Sequence, residues 1–149
     1  MKISIIYYSM TGHSKKMANT ISKELSVSSE NIKTNPKLED VDLLFIISGI
    51  YSDKSSPVLI EYVKGLTKRN VKKVALITSS GSGITKPIKV REILENNGIK
   101  VLKDEFLYAG GFMFFGGHPN KNDIMNATNF VKETLKSLWY NKLDRDDKI

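Results

Sequence analysis

The sequence predicts an α/β fold: a doubly wound sheet of five parallel strands with helices on both faces. Three observations predict it. Short apolar runs alternate five times with longer stretches of helical period. The central runs, Ile3-Ser4-Ile5-Ile6-Tyr7-Tyr8 and Leu43-Leu44-Phe45-Ile46-Ile47, are nearly continuous in apolar residues, as strands covered on both faces must be. No repeat and no linker divides the 149 residues, so residues 1–149 are expected to form one domain around one core.

Taken in order, the first strand covers Ile3 to Tyr8 and feeds the turn Ser9-Met10-Thr11-Gly12-His13-Ser14. A helix follows with Met17, Ile21 and Leu25 on one face. The second strand, within Ser26 to Lys33, has little but Val27 and Ile32 to bury, so it belongs at an edge. Asn35-Pro36 marks a turn before the third strand, Leu43 to Ile47. Ser48 to Lys54 then read as a loop, and Pro57 opens a helix with Leu59, Ile60, Val63 and Leu66 inward. The fourth strand, Val74 to Ile77, runs into a second hydroxyl-rich loop, Thr78-Ser79-Ser80-Gly81-Ser82-Gly83. Ile84 to Asn97 have helical period, with Gly98 placed to cap the end. Ile99 to Leu107 are the fifth strand and Tyr108 to Gly117 a loop rich in Gly and Phe. The last helix starts near His118-Pro119-Asn120 and buries Ile124, Ala127, Val131, Leu135 and Leu138, with a frayed charged tail from Asp144 to Ile149.

In such a sheet ligands bind beyond the C-terminal ends of the strands. Three informative loops fall there: 9–14, 48–54 and 78–83. The first is the most telling. A helix N-terminus presents unpaired N–H groups and a partial positive charge. A turn of Ser, Thr and Gly around that end can hold a phosphate by hydrogen bonds alone, which suits a phosphomonoester carried on something larger. A plain Ser/Thr-capped helix start would use similar residues; the agreement of the other loops favours the phosphate.

Ser9, Thr11, Gly12 and Ser14 also match T/S-x-T-G-x-T/S, the turn between first strand and first helix of the flavodoxins, and the chain resembles that family along essentially its whole length. The resemblance implies a flavodoxin-like sheet of order 2-1-3-4-5 and FMN as cofactor, its phosphate gripped by Ser9, Met10, Thr11, Gly12, His13 and Ser14. It implies that Ser48, Gly49, Ile50 and Tyr51 form the second contact, with the Tyr51 ring stacked on the flavin. Ser79, Ser80, Gly81, Ser82 and Gly83 would bond the ribityl chain or approach the ring with backbone N–H groups. Flavodoxins often carry a second aromatic after the fourth strand, and none lies between Thr78 and Lys86. Either one flavin face stays open or Phe112, Phe114 or Phe115 covers it. Small bacterial relatives more often have Gly-Arg-Pro-Asn where this chain has Gly117-His118-Pro119-Asn120.

Composition removes other chemistry. There is no cysteine, so disulfides, thiolate catalysis and cysteine–metal sites are excluded. Met1-Lys2 leads straight into a short strand, and no run approaches the roughly 20 apolar residues of a membrane span; a cytoplasmic protein is expected. The net charge of +7 is spread over helix faces and strand edges without interleaved aromatics, which argues against nucleic acid. A receiver domain needs acidic residues where Tyr8-Ser9 and Ser48-Gly49 stand, a P-loop needs a Gly-Lys-Ser/Thr motif that is absent, and two histidines build no catalytic triad.

Two functions remain. One is an electron carrier between redox proteins. The other is a small FMN-dependent oxidoreductase taking hydride from NAD(P)H to a quinone. A module that kept the fold without FMN is the third and least favoured reading. The single short domain, without an evident nicotinamide site, favours the carrier. Flavodoxins are usually acidic and this chain is basic, so its redox partners are expected to present an acidic docking surface. A monomer or weak dimer is expected.

Overall fold

The computed structural model describes residues 1–110 and 119–146. In chain order the elements are β1 (Ile3–Tyr7), α1 (His13–Leu25), β2 (Ser29–Asn31), a 3-10 turn (Ile32–Thr34), β3 (Val41–Tyr51), β4 (Lys54–Ser55), α2 (Pro57–Lys64), β5 (Val71–Ser80), α3 (Ile88–Asn96), β6 (Lys100–Val101), β7 (Phe106–Ala109) and α4 (Lys121–Asp146). The sheet runs β2-β1-β3-β5, with β6 and β7 both pairing parallel with β5 as two pieces of one outer strand. That is the expected order 2-1-3-4-5. β4 adds a short antiparallel pairing to the end of β3.

Alternation along each strand divides the core in two. Ile6, Leu44, Ile46, Val74 and Leu76 face α2 and α3, where Leu59, Val63, Val90 and Leu94 meet them. Ile5, Leu43, Phe45, Ile47, Ala75 and Ile77 face α1 and α4, packing on Met17, Ala18, Ile21, Ala127 and Val131. β3 buries Val41, Leu43, Leu44, Phe45, Ile46, Ile47 and Ile50. Each contributes roughly 1.5–3 kcal/mol, which makes β3 the strongest structural element and fixes the loops that grow from its end.

Several elements differ from expectation. β3 continues through Ser48, Gly49 and Ile50 to Tyr51, and β5 continues through Thr78, Ser79 and Ser80. These residues carry loop-type side chains, yet each lies beside a strand partner: Ser48 pairs with Thr78 and Gly49 with Ser79. Ser52 and Asp53 then turn the chain back with φ of 52° and 61°, both left-handed, the geometry of a two-residue hairpin. α3 begins at Ile88 rather than at Ile84. Pro87 disfavours helical backbone at Lys86, and the Ser80 hydroxyl holds the turn ahead of it, accepting from the Gly83 and Thr85 N–H groups at 3.0 and 3.3 Å.

The fifth strand is split, and Tyr108 lies on β7 rather than in a loop. Arg91 crosses the break, donating to the Leu102 carbonyl at 2.9 Å and pairing with Glu105 at 3.1 Å. β2 shrinks to three residues. α4 starts on a reciprocal cap: Asp123 N–H donates to Asn120 Oδ1 at 2.9 Å, and Asn120 N–H to Asp123 Oδ2 at 2.8 Å. It then continues to Asp146, so the first half of the expected frayed tail, 144–146, is helix. Phe112, Phe114, Phe115, Gly117 and His118 lie outside the described residues, as do residues 147–149.

Candidate functional site

β1 delivers the first turn. The Tyr8 N–H donates to the Ile47 carbonyl at 3.1 Å, holding the strand exit against β3. The chain then tightens: Gly12 N–H donates to Ser9 Oγ at 2.8 Å, and Gly12 takes φ of 88°, which suits a residue without Cβ. α1 starts at once. Its first turn has no side-chain cap and no acidic residue, so the positive end of the helix is left open toward the turn. Ser14 is only 1% exposed, and its Oγ has no hydrogen-bond partner among the described residues. Burying an unpaired hydroxyl costs roughly 1–3 kcal/mol. Met10 and Thr11 project to solvent at the rim.

The second and third segments meet this turn from the sheet. Tyr51 is half-buried, and its hydroxyl lies 3.5 Å from Thr11 Oγ1. The ring crosses the face of Gly49: a Cβ there would sit 3.0 Å from the Tyr51 hydroxyl and 3.1 Å from Ser79 Oγ. Gly110 closes on Ser79 from the other side, where a Cβ would lie 3.1 Å from Ser79 Cβ. The Gly110 N–H donates to the Ser80 carbonyl at 2.8 Å. The result is a cleft of about 220 Å³ that contains His13, Ile50, Tyr51, Ser79, Ser80, Gly81 and Ser82 among its walls.

Of the expected residues, these seven therefore share one cleft. Ser9, Met10, Thr11, Gly12 and Ser14 form the adjoining turn. Ser48 and Gly49 lie in the sheet beneath, and Gly83, with φ of 78°, packs on Ala109. Ser80 is partly committed, since its oxygen already accepts two backbone N–H groups. Ser52 and Asp53, placed by the sequence only within the informative loop 48–54, also line the cleft, as do Thr85 and Gly110, which sequence reasoning missed. It also missed Tyr108. That phenol is buried, and burial pushes its pKa well up while the neighbouring Ser79 and Ser14 hydroxyls oppose the shift. It stays neutral across the physiological range. The position of Gly110, just beyond the fifth strand, was the only signal available for it.

A larger groove, about 760 Å³, lies elsewhere, along α2 between Leu38, Tyr62 and Leu66. It has none of the three loops and no converging hydroxyls, so it is not the candidate. Among the described residues there is no group of His, Asp or Glu able to hold a metal ion, and no helix long and apolar enough to cross a membrane.

Comparison with known proteins agrees with this arrangement. An uncharacterized protein of Methanocaldococcus jannaschii is 33% identical over 152 residues, covering 92% of this chain and all of that one. A flavodoxin of Streptococcus pneumoniae TIGR4 superposes with a TM-score of 0.70 at 14% identity, covering 92% of this chain and 99% of the other. An NAD(P)H:quinone oxidoreductase of Methanothermobacter marburgensis superposes at 0.60 and 14% identity, covering 87% and 93%. At such identities the two structures establish the fold alone. The model of the flavodoxin domain matches residues 4–118, a span that runs from β1 through all three loops. On that match, with the hydroxyl turn in place, the chain belongs to the flavodoxin family.

Proposed function

We propose that the cleft holds FMN and that the protein is a cytoplasmic carrier of electrons between redox proteins. The buried Ser14 hydroxyl, without a hydrogen-bond partner among the described residues, carries the reading at an uncapped helix start, because a phosphate there supplies an acceptor. Bound flavin supplies the one- and two-electron chemistry; the protein sets its exposure and electrostatics. Ser9, Thr11 and Ser14 offer hydroxyls to the phosphate, and the first N–H groups of α1 offer charge-assisted bonds. The Tyr51 ring offers an aromatic face, and Ser79, Gly81 and Ser82 offer polar groups to the ring edge and ribityl chain. Clefts that bury most of a ligand measure roughly 300–1,000 Å³. This one is smaller, which suits a flavin whose edge stays open to a partner. Lys54 and Lys86 stand near that opening, with Ile84 77% and Ile88 64% exposed. An apolar centre with a cationic rim fits a partner with an acidic docking patch.

The oxidoreductase reading is favoured by one observation. A groove of about 710 Å³ continues from the cleft past Ile50, Asp53 and Thr85, with Lys54, Lys64, Lys86 and Lys89 on its walls, where the phosphates of a dinucleotide would find cations. Steady-state assays separate the two. The carrier is expected to show negligible turnover with NADH or NADPH and a quinone. It should be reduced rapidly by a separate flavoprotein reductase, at a rate that falls with added salt as the Debye length shrinks toward about 8 Å. Rapid pyridine-nucleotide turnover without a partner would establish the oxidoreductase instead.

Tyr51 gives a second test. A ring stacked on the flavin quenches its emission. Tyr51→Ala is expected to raise bound-flavin fluorescence and to shift the first one-electron potential. Unchanged fluorescence and potential would mean that another group covers the ring.

A further inference from the structure

We propose that the edge of the sheet opposite the flavin cleft is a binding site for a small, multiply charged phosphate anion. The inference does not depend on the flavin reading. Parallel strands start together, and here three of them, β1, β5 and β6, start beside cations. Lys72 and Lys73 open β5, Lys100 opens β6, and Met1 and Lys2 precede β1. α4 runs back to the same edge and delivers Lys142 and Arg145. Between them is a cavity of about 400 Å³, floored by Leu138 and walled by Lys72, Lys73, Lys142, Arg145 and the first residue of the chain.

Three features make this more than a solvated charged surface. First, Lys73 and Lys100 are register partners on adjacent strands, so two like charges lie side by side on one face of the sheet. Second, Lys73 is half-buried, and its ammonium is pushed down by burial and then by repulsion from Lys100 and Arg145. Third, the carboxylate that lines the cavity is already engaged. Asp42 accepts from the Lys2 N–H at 2.7 Å and from Lys72 Nζ at 3.2 Å. The bonds to Lys2 and Lys72 hold its pKa below the usual carboxylate range. Asp42 also offsets part of the repulsion on Lys73, and the remainder among Lys73, Lys100 and Arg145 is left for a ligand to relieve.

Size and charge name the ligand class. Neutralising three or four cations within about 400 Å³ requires a compact polyanion. A di- or triphosphate carries that charge in one small group, whereas a peptide would have to crowd several carboxylates together. Arg145 can grip two phosphate oxygens at once and the lysines act as point charges. A docked electron partner does not explain the cluster. Asp42 and Tyr51 are nine residues apart on β3, about 30 Å at roughly 3.3 Å per residue, so whatever binds here leaves the flavin edge on the far side.

Inorganic tripolyphosphate is the probe, titrated at low ionic strength by calorimetry and by the fluorescence of Trp139. Trp139 is the chain's one tryptophan, and it is the residue next to Leu138 of the cavity floor. Saturable one-to-one binding that weakens with salt is expected. Lys73→Gln with Arg145→Gln should weaken it at least tenfold. A charge-matched control at exposed sites outside the cavity, Lys33→Gln with Lys121→Gln, should weaken it less than twofold. Folding is monitored by thermal melts. Removing Lys73 removes a repelled charge, so the double variant is expected to melt no lower than the parent without anion, and tripolyphosphate should raise the midpoint of the parent only. Non-saturating binding, equal losses in the two double variants, or equally tight binding of poly-glutamate would overturn the proposal.

Discussion

Riboflavin should bind this protein at least a hundredfold more weakly than FMN. The two ligands differ only by the phosphate, so the comparison isolates the turn from Ser9 to Ser14. Charge-assisted hydrogen bonds contribute roughly 1.5–3 kcal/mol each. Two of them at the low end give about 3 kcal/mol, and each 1.4 kcal/mol is tenfold in affinity. The open start of α1 and the buried Ser14 hydroxyl supply at least that many donors. Thr11→Ala should weaken FMN more than riboflavin, since the Thr11 hydroxyl stands at the rim beside Tyr51. Ser14→Ala should do the same without unfolding the protein, because it removes a hydroxyl that has no protein partner among the described residues. Equal affinities for the two ligands by calorimetry would show that the turn is only a helix start, and the cofactor would have to be sought elsewhere.

What was legible in the sequence was set by burial on both faces. β1, β3 and β5 announce themselves because a strand covered by helices above and below has to be apolar at nearly every position, and Leu43 to Ile47 leave no other reading. The ends of those strands were not legible. Ser48, Gly49, Thr78, Ser79 and Ser80 have the side chains of loops, and only their neighbours across the sheet make them strand. The hairpin at Ser52-Asp53 was hidden for a related reason, since its left-handed residues are Ser and Asp where Asn-Gly would have been the signal.

The outer strand was misread as continuous because the break depends on a long-range partner. Arg91 of α3 reaches the Leu102 carbonyl and Glu105, and nothing local to 102–105 reveals that. The hydroxyl turn was visible as chemistry, but the cleft was visible only in part. His13, Tyr51, Ser79 and Gly81 carry recognisable groups. Gly110 and Tyr108 matter through where they pack, and a glycine or tyrosine read along the chain says nothing of that. The seriness of the 78–82 stretch was likewise apparent, but not that Ser80 holds the following turn while Ser79 lies between two glycines.

One of those glycines, Gly49, gives the sharpest structural test. Gly49→Val should lower stability by about 1–3 kcal/mol, the usual cost of forcing extra methyl groups into packed space, and should weaken FMN at least tenfold. A Cβ at Gly49 would stand 3.0 Å from the Tyr51 hydroxyl, 3.1 Å from Tyr51 Cε2 and 3.1 Å from Ser79 Oγ. Alanine there is met by a shift of a few tenths of an ångström, and its effect should be intermediate. Valine has to drive the Tyr51 ring off the sheet and away from Thr11, so the aromatic face and the hydroxyl turn lose their alignment together. Gly81→Ala is the control. A Cβ at Gly81 meets nothing within 4 Å, so its stability should stay within about 0.5 kcal/mol of the parent. Urea unfolding of the apoprotein measures the first effect and flavin titration the second. If Gly49→Val bound FMN as tightly as the parent, the close approach of Tyr51 to Gly49 would be packing without a role in the site. If Gly81→Ala were as damaging, backbone freedom rather than space would be what the glycines provide. The contrast between a crowded glycine and an open one, about 30 residues apart in sequence and on neighbouring strand ends, is what separates a shaped cradle from a flexible loop.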